Sequence, residues 1–599
     1  MFKEQTMLSG NPGFQGRYST GNSLSGPPND PQGRMSAGVF WYLVFAAVLL
    51  SMIPYFATPA NGLLNWDDPE YLFNRPEIRK GFSTQSVTWA FQTSACSNWH
   101  PLTWLSYIAE AHFFGFSTFV MHVTNIVLHG LNTLLVALVV RAFTRRSDIA
   151  IFTACFFGIH PQHVEVVAWL SERKELLCCT FGLLTLLTWA RFRLTGRIAW
   201  LVCSLFCFAL SLLAKQMLMT LPFLLLVLEV CPLRDEDNVI SFRKLFTAWK
   251  WTVPFFLMMV YFLVRVFQAQ EDGGAISTTD HVPMWMRLTN AIQSIVWYVA
   301  QTFVPIGLQP FYRHPLANIS LPLTAFCGAI LLAGCTWVIA NRRRPCVLAG
   351  SLWFLGTLVP VLGLVQLGSA ARADRYMYFP HIGLFIVIGS LLPLRSPVSG
   401  RRMAAGVLVI ALAFTTVAYR QTLFWKDSIA LWTRCIECDP VSYRGHDMLA
   451  LSLLVAERHE DALQEAKFAL RFPENQQNGS VYTTIGCSLL FMGDLPGAIT
   501  NLREAIRLTP HDFRALTNLG YAVRETDMAE AHQLFTEALK HAPGNLEATA
   551  NLANCEASVG NYPRAMELLK EAMVMAPNEP RLRENYRLCQ EALRNAPKP

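Results

Sequence analysis

The stretch YTTIGCSLLFMGDLPGAITNLREAIRLTP, residues 482–510, decides how the C-terminal part of the chain folds. Tyr482, Ile485, Gly486, Ala498, Leu502, Ala505 and Pro510 alternate large and small residues at helical spacing. That pattern suits a helical hairpin in which Gly and Ala allow close approach and the large residues fill the gap. Leu516, Leu519, Gly520, Ala531, Phe535, Ala538 and Pro543 repeat it one residue short, and Thr549, Leu552, Ala553, Ala565, Leu569, Ala572 and Pro577 repeat it again. A weaker first unit runs through Leu449, Ala450, Ala462, Ala469 and Pro473, and the prolines at 440, 473, 510, 543 and 577 stand 33 to 37 residues apart. Such units bury a shared core only by stacking on their neighbours.

This is the pattern of the tetratricopeptide repeat. About four units and a final polar helix near 580–595 predict an α-solenoid over 421–599. The signal fixes a fold and leaves the ligand open, because these arrays make concave peptide-binding surfaces or simply hold subunits together. N-terminal to it the texture changes. The 599-residue chain is 52% hydrophobic and 15% charged, which places it with polytopic membrane proteins. A net charge of +7 over many loops speaks for membrane orientation and against nucleic acid. Cys155, Cys178, Cys179, Cys203, Cys207, Cys327 and Cys335 lie inside apolar runs as small hydrophobes, so no disulfide framework is indicated. Cys435 and Cys438 read as helix residues that can pair in an oxidising compartment.

Residues 1–36 are rich in Gly, Ser, Pro and Asn and predict a disordered cytoplasmic tail. The transmembrane domain is expected over 37–420. After the first span, Val39 to Ala57, runs at about 118–142, 148–166, 177–192, 198–214, 217–232, 249–267, 321–340, 346–366, 376–394 and 402–420 are long enough to cross a bilayer. Basic clusters at 141–146, 191–197, 234–244, 342–344 and 395–402 belong on the cytoplasmic side. Leu288 to Pro305 then has both flanks outside and reads as re-entrant, leaving about eleven spans. The expected fold is all-α, a polytopic membrane helix bundle followed by the repeat solenoid, with the repeats on the outer side: periplasmic on a bacterial plasma membrane, lumenal in an endoplasmic reticulum.

The same parity places a long first loop, 58–117, outside. It holds Asn65-Trp66-Asp67-Asp68-Pro69-Glu70-Tyr71 and Asn98-Trp99-His100-Pro101. Two further outer loops carry His160-Pro161-Gln162-His163-Val164-Glu165 with Glu172-Arg173-Lys174-Glu175, and Arg372-Ala373-Asp374-Arg375-Tyr376. Acidic residues beside a bilayer are costly and call for a use. Moving a sugar from a lipid phosphate to a hydroxyl needs a carboxylate to take the proton and cations or His to receive the phosphate, and an arginine fork matches phosphate oxygens. Asp67, Asp68 and His100 are also usable ligands for a divalent metal, at a spacing that is not diagnostic. As plain structure, Asp-Asp-Pro is a good turn, Glu165 can pair with Arg173, and His122 and His129 can pack between helices.

With these residues in view, the sequence resembles the transmembrane and tetratricopeptide-repeat-containing O-mannosyltransferases and their prokaryotic relatives, among the GT-C membrane glycosyltransferases. The resemblance rests on Asp67-Asp68, Trp99-His100-Pro101-Leu102, the region His129 to Asn132, His160-Pro161 through Glu165, Arg173 to Leu177, Asp374-Arg375-Tyr376 and the repeats. It covers the chain apart from the N-terminal tail. It implies a GT-C-like bundle with Asp67 and Asp68 at the catalytic centre and an inverting transfer. The implied donor is a mannose-like hexose on polyprenyl phosphate, and the acceptor a protein Ser or Thr hydroxyl presented by the repeats. His100, His160, Glu165, Arg173, Asp374, Arg375 and Tyr376 are the residues expected to bind donor phosphate or substrate. The chain departs from eukaryotic members at Glu172-Arg173-Lys174-Glu175, where they tend to have Gly-Arg-Ala-Asp/Glu, and this leaves the sugar open. Two other classes compete. A membrane-anchored repeat scaffold leaves the long polar loop unexplained, and a transporter predicts mid-span charges and internal symmetry that the sequence lacks.

Overall fold

A computed structural model describes residues 35–73, 75–233, 242–272, 282–315, 319–364, 370–394 and 399–595. The expected tail, 1–36, lies almost wholly outside them. Among the described residues the chain is helical throughout, apart from a short antiparallel pair formed by Tyr312–Arg313 and Ala370–Arg372.

Among the described residues, six helical stretches are long and apolar enough to cross a membrane: Ala37–Ala60, Thr118–Thr144, Leu170–Thr195, Lys244–Glu271, Leu321–Ala340 and Ala405–Trp425. Ser147–Ile159, Ile198–Ala214, Gln216–Val230, Pro345–Val361 and Pro380–Leu391 are apolar and shorter. The expected runs are thus recovered as helices, with about half of full spanning length. Leu288 to Pro305, expected as a re-entrant segment, lies mostly within one continuous 20-residue helix, Met284–Phe303. It turns Asn290, Gln293, Ser294 and Thr302 inward, and Asn290 Nδ2 donates to Ala371 O at 3.0 Å.

Small residues set the closest crossings. A Cβ at Gly350 would lie 2.7 Å from Gly383 O, and one at Gly383 would lie 2.6 Å from Gly350 O. Pro345–Leu358 and Pro380–Leu391 therefore touch backbone to backbone, the way helices associate in apolar surroundings. The first loop packs its own core of Tyr71, Leu72, Ile78, Trp104, Tyr107 and Ile108, joined by Leu170. It is a folded layer rather than a tether.

The repeat array runs from Tyr443–Val455 to Pro580–Asn595. Its small positions act as the spacing requires: a Cβ at Gly486 would meet Leu502 at 2.6 Å, and one at Gly520 would meet Phe535 at 2.8 Å. Asn478, Asp494, Asp512, Asp527 and Asn545 accept from the first-turn amides of their helices and so start each one at a fixed point. Cys435 and Cys438 end the preceding helix, Ser428–Cys438, as free thiols.

Candidate active site

The acidic turn is held from two sides. Asn65 takes three bonds from the start of the C-terminal region: its Nδ2 donates to Met448 O at 3.2 Å and to Ser452 Oγ at 2.8 Å, and its Oδ1 accepts from Trp432 Nε1 at 2.8 Å. Its backbone N–H adds a bond to Ser428 Oγ at 2.9 Å. Trp66 stacks on Trp169 with centroids 4.6 Å apart and leans on Trp432 at 5.1 Å. One turn therefore joins the membrane bundle to the repeat array.

The adjacent aspartates are not equivalent. Asp68 is fully buried. Its Oδ2 accepts from Leu64 N at 2.9 Å, and its Oδ1 accepts from Ser171 N at 3.1 Å and Ser171 Oγ at 2.5 Å. Burial pushes its carboxyl up to about 6 although these donors pull the other way. Asp67 keeps 37% of its side chain exposed and lies 3.6 Å from Lys174 Nζ. Asp68 ties the loop to the 170–172 turn, and Asp67 is left facing open space.

Lys174 begins a buried charge network. Its Nζ lies 3.3 Å from Glu172 Oε1 and 4.4 Å above the Tyr71 ring. Lys215 Nζ bridges Glu172 Oε2 and Glu175 Oε2, both at 2.9 Å. Arg375 Nε reaches Glu172 Oε1 at 3.6 Å, its guanidinium pairs with Glu165, and its backbone N–H donates to Glu165 Oε2 at 2.9 Å. Three cations thus surround Glu172, which is 2% exposed. Lys174, Lys215, Glu172 and Glu175 were not singled out as substrate-binding residues by sequence reasoning. The usable signal was a lone Lys215 between two apolar runs, and a charged tetrapeptide heading a third.

The remaining expected residues fall into two groups. Glu165, Arg375 and Tyr376 join the network, with the Arg375 guanidinium 5.1 Å over the Tyr376 ring. His100, His160, Arg173 and Asp374, also expected at donor phosphate or substrate, are buried and hydrogen-bonded within the protein. Arg173 is fully buried and donates to Asn125 Oδ1 at 2.9 Å, Glu110 Oε2 at 2.5 Å and Met121 O at 2.8 Å. Its partner is Glu110, not Glu165. His160 has Nε2 on Thr302 O at 3.1 Å and accepts at Nδ1 from Gln162 N at 3.3 Å. Asp374 accepts from Tyr312 Oη at 3.0 Å and Gln162 Nε2 at 3.4 Å. His100 lies between Tyr71 Oη, 3.3 Å from Nδ1, and Gln216 Oε1, 3.2 Å from Nε2. Burial lowers it to about 3, so it is neutral at physiological pH and a poor phosphate counter-charge. His129 is likewise spent, on Tyr378 Oη at 2.8 Å and Gly158 O at 2.9 Å.

Asp67, Asp68 and His100 were the residues named as usable metal ligands. Both Asp68 oxygens and both His100 nitrogens are occupied within the protein, and among the described residues no group of three or more His, Cys, Asp or Glu side chains has a metal-binding arrangement.

Fold and site together define a helical bundle with membrane-spanning character, a charged loop layer and a tetratricopeptide-repeat array. Tetratricopeptide repeat family models match residues 483–527 and 522–584. Relatives matched over about two thirds of this chain are named protein O-mannosyl-transferases. One from Caenorhabditis elegans is 21% identical over 421 residues, covering 67% of this chain and 58% of its own length. One from Homo sapiens is 21% identical over 485 residues, covering 68% of this chain and 52% of its own. The chain therefore spans a little over half the length of the curated relatives it matches. A tetratricopeptide-repeat protein of Thermus thermophilus superposes with a TM-score of 0.24 at 19% identity, covering 31% of this chain and 96% of that one.

Proposed function

We propose that the chain is a membrane glycosyltransferase of the GT-C kind. It moves a mannose-like hexose from polyprenyl phosphate to a Ser or Thr hydroxyl of a protein, with Asp67 as the base. The observation that carries this reading is the division between the two aspartates: Asp68 has both oxygens committed, whereas Asp67 is open and 3.6 Å from an ammonium group. The names of the relatives support sugar transfer to protein.

In this scheme Asp67 takes the acceptor hydroxyl proton while the hydroxyl oxygen forms its bond to the anomeric carbon. The bond from that carbon to the phosphate oxygen breaks, and the lipid phosphate leaves with the bonding pair. Opposite-face attack inverts the anomeric configuration. Lys174, 3.6 Å from Asp67, and Arg375, which shares Glu172 with Lys174, receive the growing phosphate charge. Their carboxylate partners hold them at fixed positions, so little reorganisation accompanies the step.

The test uses purified full-length protein, a polyprenyl-phosphate hexose and a Ser/Thr-containing polypeptide. The expected result is donor consumption that requires the acceptor, a mass gain of one hexose, and a linkage inverted relative to the donor. Donor that stays intact with a range of acceptors would favour the membrane-anchored scaffold instead.

A further inference from the structure

The apolar helix Lys244–Glu271 carries, near its end, an arginine that its packing does not neutralise. Arg146, Arg173, Arg193 and Arg375 each meet a carboxylate. Arg265 meets none among the described residues. Its guanidinium lies 4.8 Å over the Trp99 ring, and its Nη1 donates to Gln268 Oε1 at 3.3 Å. Its Nε is buried and has no hydrogen-bond partner among the described residues. Trp99 is fixed in turn: it is buried, donates from Nε1 to Phe91 O at 2.8 Å, and packs on Phe262 with centroids 5.6 Å apart. A cation taken out of water with donors unused is unfavourable until an anion completes it.

Arg265 lines a cavity of about 260 Å³, together with Gln92, Ser94, Trp99, Gln268 and Glu271. That is below the roughly 300–1,000 Å³ of sites for drug-sized ligands and suits a smaller group. Phe262 and Ala269 are buried on the helix face that carries Arg265 to Trp99, whereas Tyr261, Val264 and Phe267 are exposed. Those exposed apolar side chains belong against lipid, and Phe267 stands only four residues before Glu271. The cavity therefore lies at the level of a bilayer surface. Arg265 precedes Glu271 by six residues and sits about 9 Å nearer the bilayer centre along the helix axis. The interfacial layer of a bilayer is about 5–8 Å thick, so the two charges bracket it.

Across that layer the order is cation inside, carboxylate outside. A phospholipid with an ethanolamine headgroup has the complementary order, because its phosphate adjoins the glycerol and its ammonium lies further from the acyl chains. An arginine fork matches phosphate oxygens, and a primary ammonium donates to a carboxylate and to a side-chain amide oxygen such as that of Gln92. We propose that the cavity between Arg265, Trp99 and Glu271 holds the headgroup of a phosphatidylethanolamine-like lipid, which ties the first loop to the bilayer surface. Glu271 counts against a purely anionic headgroup. A trimethylated headgroup has no N–H to donate, and the Trp99 ring that would receive its charge is already covered by Arg265 and Phe262. The same cover leaves this ring no open face for a sugar. The lipid site is independent of the proposed transfer.

The experiment uses full-length protein in a non-phospholipid detergent, mixed with equal amounts of phosphatidylethanolamine, phosphatidylcholine and phosphatidylglycerol of the same acyl chains. Native mass spectrometry then counts the lipid each protein retains. Wild type should retain a single phosphatidylethanolamine about 10-fold or more in preference to either competitor. Arg265→Gln should weaken its retention about 10-fold or more. Arg265→Lys keeps the charge without the fork and should fall between the two, which reads the site even where Arg265→Gln melts early. Glu271 is exposed, so Glu271→Gln leaves the fold intact; it should still retain phospholipid but discriminate ethanolamine from choline by no more than about 2-fold. Wild type that holds phosphatidylcholine or phosphatidylglycerol as well as phosphatidylethanolamine overturns the proposal, as does unchanged retention in Arg265→Gln or unchanged discrimination in Glu271→Gln. Soluble phosphoethanolamine should not displace the lipid at equal concentration; displacement would overturn the bilayer as the source of the ligand.

Discussion

At residue scale, two neighbouring aspartates divide the work. Asp68 receives three protein hydrogen bonds, two of them from Ser171. Asp68→Ala orphans those donors and should cost about 2 kcal/mol or more, read as a lower Tm. Its titration adds a pH signature. Burial holds the folded carboxyl at about 6 against an ordinary 3.8, so the folded state keeps its proton to higher pH than the unfolded chain does. The contribution to stability is greatest below about pH 4 and declines as pH rises to about 6, by at most about 3 kcal/mol. Asp68→Asn should remove that decline, and melting curves at pH 4, 5 and 6 measure it. The pair was legible in sequence as a cluster needing a use. The division was not, because Ser171 lies 103 residues away and only the fold supplies it. The partners of Arg173 were hidden for a related reason: an arginine heading a helix suggests a phosphate clamp, and its bonds to Glu110, Asn125 and Met121 come only with the fold. Arg173→Ala leaves Glu110 buried and unpaired and should cost about 3–5 kcal/mol, again read in Tm.

At the scale of elements, the first loop is the hinge of the account. Asn65 reaches Trp432, Met448 and Ser452, so the beginning of the C-terminal region is fastened beside Asp67. Asn65→Ala should leave both bodies folded and loosen their junction. Limited proteolysis should then cut within the Ser428–Cys438 helix or the turn after it roughly 5–10-fold faster than in wild type. Unchanged cleavage would mean that the tryptophan stack alone holds the joint. Periodicity revealed both elements separately, through apolar runs and through Gly and Ala positions. It carried no information on their docking, since Asn65 looks like any turn residue until its partners some 380 residues on are placed.

At the scale of the whole molecule, hydropathy and loop charge located the helices better than their lengths. The runs at 148–166 and 376–394 both include polar ends that the structure turns to other use: His160 and Glu165 after Ile159, and Tyr376 before Pro380. Orientation remains a statement about basic loops. A reporter enzyme active only outside the cytoplasm, fused after residue 595, should be active, and the same reporter placed after Arg344 should not. Activity in the opposite pattern would separate the repeats from an outer donor.

The central claim is that Asp67 is the base and Asp68 its support. Transfer of hexose from polyprenyl phosphate to a polypeptide, measured side by side for Asp67→Asn and Asp68→Asn with Tm in hand, tests it most directly. The account predicts a loss of about 100-fold or more for Asp67→Asn at unchanged Tm, and for Asp68→Asn a rate within about 10-fold of wild type wherever the protein is folded. Full activity in Asp67→Asn, or a folded Asp68→Asn that transfers nothing, would contradict it.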